Sequence, residues 1–239
     1  MKNNTYLYNK YTTNLCMSIL KKDPGIIVAL DIKNIDVALK IAGEIEEAKG
    51  NFALKIGRPL EMQNGKNIIS KIKEVTNVPI IYDGKIADIP FISREIAEIA
   101  YSEGADAIIM HSFVGSDVIE EIINLNMGDV IAVVEMTHPG ALEYYQPNSE
   151  KMAEQVSKLG VNGIVLPATR PDRVKILSKL IDNSVYVISP GINAQGAKPG
   201  DAIINGADYE VVGRAIYDSV NPKKSAEILY QNIKQRIDF

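Results

Sequence analysis

Residues 79–111 read PIIYDGKIADIPFISREIAEIAYSEGADAIIMH. An apolar, β-branched run (Pro79–Tyr82) gives way to charged residues, then to an amphipathic stretch (Ile92–Ser102), then to a second apolar run (Ala107–Met110). This is a strand, a crossover helix and a second strand, the repeating unit of a parallel sheet. The same alternation runs from residue 26 onward. It predicts strands at Ile26–Leu30, Phe52–Ile56, Pro79–Tyr82, Ala107–Met110, Val130–Val134, Gly163–Leu166, Val185–Ile188 and Glu210–Val212. Helical patterns lie between and after them at Asp36–Ala48, Met62–Val75, Ile92–Ser102, Ser116–Leu125, Glu150–Leu159, Arg173–Ile181 and Lys223–Arg236, with a shorter one within Gly200–Asn205. Most of the strands are apolar along their whole length, as strands covered on both faces must be.

Eight strands with interleaved helices in about 215 residues predict an α/β protein with a compact (β/α)8 TIM barrel, residues 25–239, as a single domain. The alternative is an open doubly wound sheet. The first strand is followed by Asp31-Ile32-Lys33-Asn34 rather than a glycine turn, which argues against a dinucleotide site. Residues 1–24 are expected to form a short N-terminal helical extension. Their apolar run Leu15–Leu20 is too short for an ordinary signal core and is followed by Lys21-Lys22-Asp23-Pro24 instead of a cleavage site.

Composition narrows the function. The chain has 239 residues, 46% apolar and 23% charged, the range of ordinary globular proteins. Lys and Arg number 26 against 30 acids, so there is no general basic excess for a nucleic-acid partner. No run approaches the length of a membrane span. One cysteine, Cys16, cannot form an internal disulfide, and two histidines far apart in sequence make no Cys/His metal cluster. A cytoplasmic setting is expected.

In a barrel, functional groups collect where strands run into their following loops. Here those positions are polar: Asp31 after the first strand, Lys55 at the end of the second, Asp83, Lys85 and Asp88 after the third. His111 ends the fourth; Glu135, Thr137 and His138 end the fifth. Side chains two apart on a strand share a face, so Asp83 and Lys85 are expected to point together. Asp31, Lys55, Asp83 and Lys85 then form a row of alternating charge on three neighbouring strands, each group offsetting the desolvation of the next. The loop Gly191–Gly200 after Pro190, with Gly213-Arg214 one strand later, occupies the place where barrels build phosphate sites, and Arg214 offers a fixed fork of donors. His111 and His138 read as hydrogen-bonded rim histidines, Glu135 as a structural partner, and Tyr144 and Tyr145 as packing or lid surface.

These residues carry a resemblance. Ala29-Leu30-Asp31, Lys55-Ile56-Gly57, Asp83-Gly84-Lys85-Ile86-Ala87-Asp88-Ile89-Pro90, Glu135-Met136-Thr137-His138-Pro139-Gly140, Ser189-Pro190-Gly191 through Gln195-Gly196, and Val212-Gly213-Arg214-Ala215-Ile216-Tyr217 resemble the orotidine 5′-monophosphate decarboxylases of the archaeal type across nearly the whole barrel. The Asp-x-Lys-x-x-Asp element is shared with Mg2+-dependent barrels acting on sugar phosphates. Pro90 and the Glu135–Gly140 segment pull toward the metal-free nucleotide enzyme.

The resemblance implies loss of CO2 from orotidylate to give UMP, the last step of pyrimidine nucleotide synthesis, with neither cofactor nor metal. It implies Lys85 as proton donor to carbon 6, Asp83 facing the departing carboxylate, and Lys55 and Asp31 holding ribose hydroxyls and the charge network. Thr137 would address the pyrimidine, Pro190 line its edge, and Gln195, Gly213 and Arg214 hold the phosphate. Asp88 would reach into the neighbouring subunit's site, making the enzyme a homodimer. Three positions depart from the family pattern: Thr137 stands where serine is usual, Gly84 where a larger residue is common, and Ile92 where threonine often contacts the ribose across the dimer, with Ser93 beside it.

Overall fold

In the computed structural model the described residues are 18–237. Eight parallel strands close into a barrel in sequence order: β1 (Gly25–Leu30), β2 (Phe52–Gly57), β3 (Ile80–Ile86), β4 (Ala107–His111), β5 (Asp129–Val133), β6 (Gly163–Val165), β7 (Tyr186–Pro190) and β8 (Tyr209–Val212), with β8 pairing back onto β1. The barrel replaces the open-sheet alternative. Around it lie α1 (Ile35–Glu46), α2 (Arg58–Asn64), α3 (Ile68–Lys73), α4 (Pro90–Ser102), α5 (Ser116–Ile123), α6 (Ala141–Tyr144), α7 (Ser149–Leu159), α8 (Pro171–Leu177), α9 (Arg214–Tyr217) and α10 (Pro222–Ile237).

Because every strand is covered twice, its alternate residues serve two cores. Ile27, Ala53, Ile81, Ile109, Ile131, Tyr186 and Tyr209 fill the barrel interior, while Ile26, Val28, Leu54, Ile80, Ile108 and Val212 face the helices. The inward column continues upward, so the apolar floor of the barrel passes directly into whatever the strand tops carry.

Three expectations are corrected. The single helix expected over Met62–Val75 is two, α2 and α3, because Gly65 between them takes φ +86°, outside the helical region. α8 ends at Leu177, four residues short of Ile181. Strand β3 does not stop at Tyr82 but continues through the charged residues to Ile86, with its register against β4 shifted between Tyr82 and Ile86. The helix expected in the N-terminal extension lies mostly outside the described residues, and residues 18–24 carry none. They instead run across the base of the barrel. Ser18 Oγ and the Ile19 N–H donate to the Asp129 carboxylate at 2.7 and 3.0 Å, and Leu20, 3% exposed, joins the interior core.

Candidate active site

The inward column of each strand ends in a different chemical group, and their convergence makes the site. Asp31 follows β1, Lys55 is the last inward side chain of β2, and Asp83 and Lys85 project from β3. Lys55 Nζ lies 3.1 Å from Asp31 Oδ1 and 2.9 Å from Asp83 Oδ2, and Lys85 Nζ lies 2.7 and 2.8 Å from the two Asp83 oxygens. The row Asp31, Lys55, Asp83, Lys85 is therefore continuous. Gly57 permits its first contact, since a Cβ there would sit 2.3 Å from Asp31 Oδ1.

Burial would raise the Asp83 carboxyl, but Lys55 and Lys85 outweigh it and hold the group down at about 2. Burial likewise pulls Lys55 down, and Asp83 and Asp31 outweigh it, leaving its ammonium raised above the ordinary lysine range. Lys55 is enclosed, with its side chain 8% exposed, whereas that of Lys85 is 39% exposed and opens on the cavity. Lys55 is thus the enclosed member of the row and Lys85 its accessible end.

Asp83 and Lys85 do converge, but not through simple strand alternation. Lys85 takes φ +45°, a left-handed conformation that costs a non-glycine residue about 1–2 kcal/mol, inside the register shift of β3. The bulge turns the ammonium back over Asp83. Gly84, beside this turn, makes space for a ring. A Cβ at residue 84 would lie 2.4 Å from Tyr82 Cε1, and the Tyr82 hydroxyl is fixed between Arg58 Nη1 at 3.1 Å and Glu61 Oε2 at 3.0 Å. Overpacking of this kind costs about 1–3 kcal/mol. Gly84→Ala is therefore expected to displace the Lys85 turn, lowering the melting temperature by several degrees and the activity of the site by about 10-fold or more; unaltered activity would show that Tyr82 does not fix the turn.

The cavity has a volume of about 340 Å3, within the range of small-molecule sites. Its floor is the top of the barrel core, including Ile109, Val133, Val165, Ile188 and Val211, and its opposite rim is the β7 loop with Gly213 and Arg214. Asp31, Lys55, Asp83, Lys85, Thr137, Pro190, Gln195, Gly213 and Arg214 all line it. Charge stands on one side, an apolar surface beneath, and a glycine-rich loop with an arginine on the other. Such a space suits a flat, partly polar molecule carrying an anionic tail.

Asp88 and Ile92 do not line this cavity. They sit on the exposed rim where β3 turns into α4, beside Ile89 and Phe91, which are 62% and 64% exposed. Ser93 is buried: its hydroxyl donates to the Asp88 carbonyl at 2.9 Å and accepts from the Asp88 N–H. It is consumed by its own turn.

His111 accepts from or donates to the Tyr145 hydroxyl at 2.6 Å and stacks on Phe113 at 4.8 Å. Burial and then the Lys85 charge push its imidazole down to about 4, so it is neutral at pH 7. His138 is exposed. Among the described residues no three His, Cys, Asp or Glu side chains come together as metal ligands.

Sequence reasoning missed Arg170. It follows β6 by five residues, beyond the strand end where charged groups are sought. Its Nε lies 2.9 Å from the fully buried Glu135, it donates to the Met136 carbonyl, and its Nη1 reaches the Thr137 carbonyl at 3.3 Å. Arg173 closes on the other Glu135 oxygen at 3.1 Å. Glu135 is thus the structural partner expected of it, and Arg170 is what shapes the loop that presents Thr137.

With this geometry in place, comparison with known proteins is specific. The sequence pattern of the "Orotidine 5'-phosphate decarboxylase / HUMPS family" matches residues 24–229. Curated orotidine 5′-phosphate decarboxylases of Thermococcus kodakarensis and Pyrococcus abyssi are each 44% identical, over 89% and 87% of this chain and 98% and 99% of theirs. A crystal structure of orotidine 5′-monophosphate decarboxylase from Methanocaldococcus jannaschii, complexed with the inhibitor BMP, superposes with a TM-score of 0.81 at 39% identity, covering 88% of this chain and 99% of that one.

Proposed function

The chain belongs to the orotidine 5′-phosphate decarboxylase / HUMPS family, and from that premise we propose that it converts orotidine 5′-monophosphate to UMP and CO2 without a metal or coenzyme, the closing step of pyrimidine nucleotide synthesis, in a cytoplasmic setting. The observation that carries the reading is the row of alternating charge ending in an accessible ammonium, Lys85, over an apolar floor. Ammonium groups of Lys55 and Lys85 already bracket Asp83, where a divalent cation would otherwise be drawn.

The chemistry explains why such a row is needed. When the bond from carbon 6 to the carboxylate breaks, CO2 departs and the electron pair stays in an in-plane ring orbital that no adjacent carbonyl can absorb. Lys85, fixed before the reaction begins, stabilises that charge without reorganisation. Its Nζ proton then moves to carbon 6, giving UMP, and the neutral amine regains a proton from water. Asp83 faces the departing carboxylate and also keeps Lys85 aimed. Lys55 and Asp31 hold the row and the ribose hydroxyls, Thr137 addresses the pyrimidine, and Pro190 lines its edge. Accelerations near the largest known ask for roughly 20 kcal/mol, more than one ammonium supplies, so contacts remote from the ring must contribute. Gln195, Gly213 and Arg214 supply these at the phosphate.

Arg214 bears most of that anchoring. Charge-assisted hydrogen bonds are worth about 1.5–3 kcal/mol each, so Arg214→Ala is expected to raise KM for orotidylate by roughly 10- to 100-fold. An unchanged kcat/KM would remove the phosphate from this end of the cavity.

The active species is a homodimer in which Asp88 enters the partner's site. Its support is the position of Asp88 outside its own cavity on a rim whose apolar side chains, Ile89, Phe91, Phe113 and Tyr144, are more than half exposed. Ile92 shares that rim, and with the Ser93 hydroxyl engaged elsewhere it offers the neighbouring ribose an apolar contact in place of a hydroxyl. The deciding experiment is the loss of orotidylate absorbance with release of CO2, with and without excess chelator. Turnover that survives chelation is expected; turnover only of sugar phosphates, and only with Mg2+, would replace this reading with that of the metal-dependent barrels.

A further inference from the structure

The β7 loop has a stapled base and a free tip. Ile192 and Ala197 form an isolated bridge, the Asn193 N–H donates to the Ala197 carbonyl at 2.7 Å, and residues 193–196 are exposed. The tip leans on the arginine just past the neighbouring strand, Arg214 Nη2 donating to the Ala194 carbonyl at 3.3 Å. Both ends bear a left-handed glycine, Gly191 at φ +115° and Gly200 at φ +87°.

At the far end stands Glu210. It lies on β8, on the helix-facing side where β8 otherwise carries Val212, and it is fully buried. Its two oxygens accept from the Gly200 N–H, each at 2.9 Å, and one accepts from the Ala202 N–H at 3.1 Å. No cation pairs with it among the described residues. Arg236 of α10, whose side chain lies against Gly200, is spent on Asp201 at 2.7 Å and on the Pro199 carbonyl. Burial raises the Glu210 carboxyl to about 7 even against those backbone donors. A carboxylate kept here at such a cost to its ionised form calls for a use other than packing.

We propose that Glu210 is a positioning residue for the phosphate end of the site: it ties the hinge of the loop carrying Gln195 to the strand whose end leads, four residues on, into Arg214. The two halves of the phosphate grip come from different segments of chain, and Glu210 is the hydrogen-bonded link that sets their separation. Arg236 steadies the same hinge from outside. The inference rests on the phosphate being held by Gln195 and Arg214, as in the function proposed above.

The test compares UMP with uridine, which differ only in the phosphate, by calorimetric binding to the wild-type protein and to Glu210→Leu, Glu210→Gln and Arg236→Ala. Orphaning the buried N–H groups in Glu210→Leu is expected to weaken UMP binding about 10-fold or more and uridine binding less than about 2-fold. Glu210→Gln, which keeps one acceptor oxygen, falls between. Arg236→Ala, on the surface and tolerant of change, weakens UMP by about 2- to 5-fold and provides the readout if the leucine variant fails to fold. Parallel losses for UMP and uridine, or full UMP affinity in folded variants, overturn the proposal. Wild-type protein that prefers UMP to uridine but leaves orotidylate intact would sink the decarboxylase reading alone.

Discussion

Lys85→Ala is expected to lose turnover by about 10^4-fold or more while still binding UMP. Two contributions vanish together. A preorganised charge on a developing anion is worth roughly 10^2- to 10^3-fold, and a positioned general acid roughly 10^2- to 10^4-fold. The fold survives because the removed ammonium is the exposed member of the row, and Lys55 still pairs with Asp83 at 2.9 Å. Binding of UMP is expected to survive because Gln195 and Arg214, proposed to hold the phosphate, line the opposite rim of the cavity. Asp83, held at about 2 in the intact row, stays ionised throughout any assay above pH 4, so its titration does not shape the pH–rate profile there. The sign is that of a depressed carboxylate: its contribution to stability is complete above the unfolded value near 3.9 and fades only as pH falls toward 2. Single-turnover measurements on Lys85→Ala with saturating orotidylate check the prediction. Full activity in that variant would remove Lys85 from the chemistry.

The second expected result is recovery of activity by mixing two dead proteins. In the proposed homodimer, Asp88→Ala and Lys85→Ala each remove one group of the proposed shared chemistry from both sites. In a hybrid, the chain that keeps Lys85 receives Asp88 from its partner, and that site is whole; the other site lacks both. Random exchange makes half the dimers hybrids, so about one quarter of wild-type activity returns, from none in either parent. The effect is large because it is read against zero. Exchange is followed by native mass or a tag on one parent. Absence of recovery despite complete exchange would place Asp88 in its own subunit's chemistry or outside it.

Most of this was readable without coordinates, for a local reason. A strand sealed on both faces is mostly apolar, so the eight runs announced themselves, and the polar residue at or just past the end of each had to emerge at the barrel's top. Asp31, Lys55 and Asp83 follow from that period of two, as does the placement of Arg214 beyond β8. The family motifs added roles to positions the pattern had already singled out.

What the sequence could not supply were contacts between segments distant along the chain. The turn that aims Lys85 is a bulge with a left-handed residue, stabilised by Tyr82, Arg58 and Glu61 rather than by strand alternation. Arg170 escaped notice because it acts on the β5 loop from beyond β6, and Glu210 because a lone acid in a strand reads as a misfit until its backbone donors from the preceding loop are seen. Periodicity is a property of neighbours in the chain, and it fixed the barrel and its charged rim. Hydrogen bonds that satisfy a buried charge are properties of neighbours in space, and only the closed barrel, bringing residues 82 with 58, 135 with 170, and 200 with 210 into contact, decided which groups aim the lysine and which hold the loop.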